Sequence, residues 1–171
     1  SGGGTSVTES GSTDTVTLVL TAQPASDVVL TVASGDTGEA TVSPATLTFT
    51  SANWSSPQTV TVTGVNDALA DGNQATTLTV AVDDANSSNE FDAVVDQTVS
   101  ATTVDNDTAG ITLTESSGST SVNESGTTDT FTVVLSAQPA SDVVLTVSSG
   151  DTGEATVSPA TLTFTSANWS T

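Results

Sequence analysis

No lysine, arginine, histidine, cysteine, methionine or tyrosine occurs among the 171 residues, and each absence removes a class of chemistry. Against 14 aspartates and 6 glutamates, the missing bases leave a formal charge of -20. No internal side-chain ion pair forms in such a chain, so its carboxylates face water or an external cation. Nucleic acid is excluded as a partner on charge alone. Without cysteine there is no disulfide staple, which leaves a bound metal as the stabilising device of a secreted domain. Without histidine, cysteine, lysine or tyrosine, the abundant serines and threonines have no base to activate them, and the chain is read as not an enzyme. A paired-carboxylate glycosidase needs a cleft that short loops do not offer. The longest apolar runs span only a few residues, which excludes membrane insertion. The absence of trypsin-type cleavage sites suits an extracellular location, at the cell surface or secreted.

What is present is a repeat. Residues 1 to 56 return at 116 to 171 with 47 of 56 positions identical, an offset of 115 residues. The run AQPASDVVLTV, Ala22 to Val32, recurs unchanged from Ala137 to Val147. A period this long is one small domain, so tandem repeats are expected. The expected division is 1–109, a sandwich repeat lacking its first strand, and 110–171, the first half of a second near-identical repeat. Ile111 to Glu115 aligns before residue 1, and Pro57 to Asp105 has no counterpart after Thr171.

Alternation is the secondary-structure signal. Val16, Leu18 and Leu20, then Val28, Leu30 and Val32, fall at every second position, with Thr17 and Thr31 among the residues between them. Leu47 and Phe49, Val60 and Val62, Leu78 to Val82, and Val99 with Ala101 continue it. A period of two with threonine opposite describes strands with one buried and one solvated face. Gln23-Pro24, Gly35-Asp36, Ser43-Pro44, Asn66-Asp67, Asp71-Gly72 and Asp83-Asp84 mark the turns. About seven strands at short spacing predict an all-β, antiparallel two-sheet sandwich of immunoglobulin-like type. Trp54 is expected to plug the core or its edge. In the second copy Val133, Leu135, Val143, Leu145, Leu162, Phe164 and Trp169 form the expected inward set.

A hard cation takes six to eight oxygen ligands, and carboxylates on separate loops supply them at one end of a sandwich. Glu9, Asp36, Asp67, Asp71, Asp83, Asp84, Asp105 and Asp107 all fall at strand ends or in loops. Asp14, Asp27, Asp92 and Asp96 read as turn residues instead. The EF-hand loop and the glycine-rich nonapeptide calcium repeat are both absent.

Four stretches resemble calcium-site segments of Calx-beta domains: GVNDALADGNQ (Gly64 to Gln74), DNDTAGITLTE (Asp105 to Glu115), SVNESG (Ser121 to Gly126) and SGDTGEA (Ser34 to Ala40). The resemblance spans nearly all of residues 5 to 109 and the half copy that follows, and includes tandem versions from large bacterial surface proteins. It departs at Asn106, where the acidic triplet has an aspartate, and at Asn73-Gln74. It implies Ca2+ as the cofactor and adds Glu115, Glu124 and Asp151 as candidate ligands. The function it implies is a calcium-binding extender of an extracellular adhesin, partnered by adjacent repeats of the same chain. The alternative is a subunit of a self-assembling extracellular filament, in which identical chains complete one another by strand exchange.

Overall fold

Threonine-rich alternation gives strands because β-branched side chains suit a pleated surface and every second apolar residue faces one side. The computed structural model describes residues 4–171. It divides into two units, residues 1–67 with 72–106, and residues 68–71 with 107–171.

In the first unit the strands are β1 (Thr5–Thr8), β2 (Thr13–Leu18), β3 (Val28–Ser34), β4 (Ala40–Ser43), β5 (Thr46–Phe49), β6 (Gln58–Gly64), β7 (Gln74–Val82) and β8 (Gln97–Val104). One sheet has the order β1-β8-β7-β3-β5 and the other β2-β6-β4. Val28, Leu30, Val32, Leu47, Phe49 and Val80 from the larger sheet meet Val60 of the smaller one, with Leu20 beside them. A second cluster joins Val7, Leu78 and Ala101 to Ala40 and Val62. Each fully buried valine, leucine or phenylalanine contributes about 1.5–3 kcal/mol, and these residues join the two sheets. Trp54 is half-buried and packs on the first cluster with Phe91.

Two strands escaped the sequence reading. β1 carries Val7 as its one large apolar residue, and β4 only Ala40 and Val42, so neither shows a run of alternation. β1 also departs from the all-antiparallel expectation, since it pairs parallel with β8 from Thr5↔Ala101 to Thr8↔Val104. The chain crosses from one sheet to the other between β1 and β2, which lets β1 border β8 in the same direction. Short 3-10 turns at Asp84–Asn86 and Asn89–Phe91 lie between β7 and β8.

In the second unit β9 (Ile111–Glu115) pairs with β10 (Phe131–Leu135), and β11 (Val143–Thr146) pairs with β12 (Thr161–Phe164). Val143 faces Phe164 as Val28 faces Phe49, and Leu145 faces Leu162 as Leu30 faces Leu47, so the register repeats with the sequence. Leu135, Ala137 and Phe164 are buried. Val133, Val143, Leu145, Leu162 and Trp169 are half-buried, whereas Val28, Leu30 and Leu47 of the first unit are buried.

Candidate metal site at one pole of the first unit

Glu9 follows β1 directly, and its N–H donates to the Val104 carbonyl at 3.1 Å, continuing the parallel ladder by one residue. That bond draws the side chain inward, and Glu9 is 1% exposed. Its Oε2 accepts the Asn106 N–H at 3.3 Å. Gly64, at the end of β6, lies against the Thr8 carbonyl so closely that a Cβ would collide with it. Glycine therefore admits β1 to this end of β6.

The segments around Glu9 are laced by amides. Asn106 Nδ2 donates to Asn66 Oδ1 at 2.8 Å, and the Asp105 N–H donates to Asn73 Oδ1 at 3.2 Å. Asp105 Oδ2 accepts the Gly72 N–H at 2.7 Å. Gly72 has φ +77°, a left-handed conformation that glycine adopts without strain. The Glu39 carbonyl accepts both the Val65 N–H at 2.9 Å and the hydroxyl of buried Thr103 at 3.1 Å. The ends of β1, β6 and β8 and the loop before β4 thus lie side by side.

Glu9, Asp67 and Asp107 each offer a carboxylate oxygen, and the three oxygens lie within 4.8 Å of one another. At that spacing two carboxylates repel by on the order of 3 kcal/mol at an effective dielectric of about 20. No basic residue in the chain offsets this. Three carboxylates with neighbouring amide and carbonyl oxygens suit a hard divalent cation.

Among the eleven expected ligands, Glu9, Asp67 and Asp107 come together, and Asp71 and Asp105 adjoin them in sequence. Asp36 and its repeat partner Asp151 each accept a nearby glycine N–H at 2.9 Å, from Gly38 and Gly153, and so close their own turns. Asp83 and Asp84 follow the far end of β7. Gln74 at the other end faces Thr103, and nine residues at about 3.3 Å per residue separate the two ends. Asp83 there accepts the Asn86 amide at 2.9 Å. Glu115 accepts the Thr120 hydroxyl at 3.2 Å, and Glu124 is exposed where its repeat counterpart Glu9 is buried.

The sequence names Asn106 and Asn73 only as departures from the calcium-site pattern and Asn66 only as a turn residue, whereas the structure uses all three side-chain amides to tie the acidic loops together. The sequence reading passed over two anchoring carboxylates. Glu90 accepts the Ala25 N–H at 2.7 Å, and that bond, with one to Ser88, holds its pKa below the ordinary glutamate value. Asp129 is held low by bonds from the Ser116 hydroxyl and from the Ser121 and Thr130 N–H groups.

No protein-family model matches the chain, and no curated protein does. Solved structures overlap with it at low identity. An MSP-domain protein-like family member of Caenorhabditis elegans is 21% identical over 60% of this chain and 92% of its own, with a TM-score of 0.40. A chain of the chaperone–tip adhesion subunit pre-assembly complex from archaic chaperone-usher Csu pili of Acinetobacter baumannii is 12% identical. It covers 95% of this chain and 83% of its own, with a TM-score of 0.45. A chain of a chaperone–tip adhesin complex of CFA/I fimbriae biogenesis is 9% identical over 94% of this chain and 79% of its own, at 0.40. At TM-scores below 0.5 these overlaps assign neither an activity nor a partner.

Proposed function

We propose that the chain is a non-catalytic structural repeat of an extracellular adhesin-type protein, related to Calx-beta domains and stiffened by Ca2+ at one pole of its first unit. The observation that carries this reading is the buried Glu9 carboxylate beside those of Asp67 and Asp107 in a chain without a single basic side chain. Calcium accepts a flexible set of six to eight oxygens, and extracellular modules bind it at about 10⁻⁴ to 10⁻³ M. Magnesium demands tighter octahedral geometry and binds more weakly at such a site. The lack of basic cleavage sites suits a place outside the cell, where calcium is abundant and proteases act. Isothermal calorimetry tests the site directly. Saturable calcium binding that Glu9→Gln abolishes is expected, and no binding heat at millimolar calcium would remove the reading.

A second reading, a subunit of an extracellular filament, is favoured by one observation. Val143 and Leu145 are half-buried where the identical Val28 and Leu30 are buried, so the second unit has apolar surface still to cover. Identical chains, or adjacent repeats of one chain, are the partners that fit it. Light scattering over a concentration series distinguishes them, since filament growth raises the particle mass and a chain that acts only as a spacer stays monomeric.

A further inference from the structure

β1 joins its sheet through one short ladder. Four parallel pairs, Thr5↔Ala101 to Thr8↔Val104, tie it to β8, whose other side is held by seven antiparallel pairs to β7. Parallel pairing is slightly the weaker per residue. The Glu9 N–H closes the ladder on the Val104 carbonyl at 3.1 Å. Parallel bonds recur at every second residue, so the Val7 N–H is directed to β8 as well. The alternate N–H groups meet side chains instead. Ser6 donates to Asp14 Oδ2 at 3.2 Å and Thr8 to Ser12 Oγ at 2.7 Å.

Glu9 ends this ladder, and one of its carboxylate oxygens lies within 4.8 Å of one from Asp67. Asp67 follows β6, which belongs to the other sheet. Two carboxylates at that distance push the ends of β1 and β6 apart, whereas a divalent cation between them draws the same ends together. The force acts where the two strands are in contact, because Gly64 of β6 has no Cβ to hold off the Thr8 carbonyl. Behind β1, Val7 packs in one cluster with Leu78, Ala101, Ala40 and Val62. Lifting β1 withdraws one large apolar side chain and breaks one short ladder, far less than unfolding the sandwich, so this opening lies at the low end of local stabilities.

We propose, building on the calcium reading, that β1 is a strap fastened by Ca2+ through Glu9: with the ion bound it lies closed on β8, and without the ion it opens ahead of the rest of the unit. The closed and open forms differ in whether Glu9 meets Asp67. The ion needs both carboxylates, so its binding energy falls on the closed form. An open strap bares the N–H and C=O groups along β8, the groups to which a further strand adds. Calcium thus controls whether this edge is sealed, as well as how stable the unit is.

The test is amide exchange by NMR on the full chain, in chelator and in about 10 mM calcium, with binding followed by calorimetry on the same sample. In chelator, Val7 and Glu9 are expected to be less protected than Val32, whose N–H donates to the Ala45 carbonyl at 2.8 Å in the core of the sheet. Calcium should slow exchange at Val7 and Glu9 by about tenfold or more. Glu9→Gln is neutral yet still able to accept the Asn106 N–H, so in chelator it should protect Val7 better than the wild type does, and calcium should add nothing further. Val7 and Glu9 as well protected in chelator as Val32 would overturn the strap, as would a Glu9→Gln variant whose Val7 gains no protection. Calcium binding without slower exchange at Val7 and Glu9 also overturns it and leaves the site standing. Absence of binding heat removes the site and the strap together.

Discussion

Asn106 donates its backbone N–H to the Glu9 carboxylate at 3.3 Å across 97 positions of sequence. The bond ties the residue after β1 to the residues after β8, at the end where the parallel β1–β8 ladder finishes. It turns an acidic residue inward, although a lone buried carboxylate is disfavoured unless paired or hydrogen-bonded. Its position beside Asp67 and Asp107 makes this pole the place where cation binding and folding are coupled.

Calcium is expected to raise the melting temperature. With a dissociation constant of about 10⁻⁴ to 10⁻³ M, roughly 10 mM calcium adds about 1.4 to 2.7 kcal/mol to the folded state. For a domain of this size that is a rise of roughly 5 °C or more. Scanning calorimetry in calcium and in chelator measures it, and Glu9→Gln should erase most of the increment. Identical melting curves in the two buffers would contradict the prediction.

Gly64→Ala is expected to destabilise the first unit by about 1–3 kcal/mol, because the added Cβ meets the Thr8 carbonyl and overpacked sites cost that much. The displacement falls on the residue before Glu9. The calcium increment should therefore shrink along with the basal stability. A variant that loses stability but keeps the full increment would uncouple β1 from the site.

Leu30→Ala and Leu145→Ala remove the same side chain from equivalent positions of the two copies. Leu30 is buried between sheets and should cost about 2–5 kcal/mol, whereas half-buried Leu145 should cost clearly less. Urea unfolding of both variants compares them. If strand addition covers the second unit in an assembled state, the difference should narrow as concentration rises.

The lowered pKa of Glu90 fixes the sign of a pH effect. A carboxylate that is more acidic folded than unfolded stabilises the fold above its unfolded pKa, and that contribution fades as pH falls through the folded value. Glu90→Gln should therefore lower the melting temperature near neutral pH and matter progressively less below the ordinary carboxylate range of about 4. Asp129→Asn should follow the same course in the second unit. A variant-to-wild-type gap that stays constant from about pH 7 to about pH 3 would contradict the assignment.

The strands that were legible in the sequence are β2, β3, β5, β6, β7 and β8, whose apolar residues recur at every second position, as Val28, Leu30 and Val32 do in β3 and Val60 and Val62 in β6. β1 and β4 were not, because four residues with Val7 alone, or with Val42 and the small Ala40, mark no apolar face, and such a strand is defined by its neighbours' backbone bonds. The site divides the same way. Asp67, Asp105 and Asp107 stood out as acidic residues in loops, but so did Asp36 and Asp151, which cap their own turns. Local spacing cannot separate a carboxylate that closes a turn from one that faces another loop.

By itself the sequence determined the chemistry excluded to this chain, the alternation that makes it a sandwich, and the duplication whose register recurs in β11 and β12. Only the tertiary structure decided which carboxylates meet. Glu9 is buried at the end of a parallel ladder beside Asp67 and Asp107, whereas Asp36 and Asp151 close their own turns. The physical reason is that β8 borders β1, a pairing between distant parts of the chain that sets Glu9 against the Asn106 N–H.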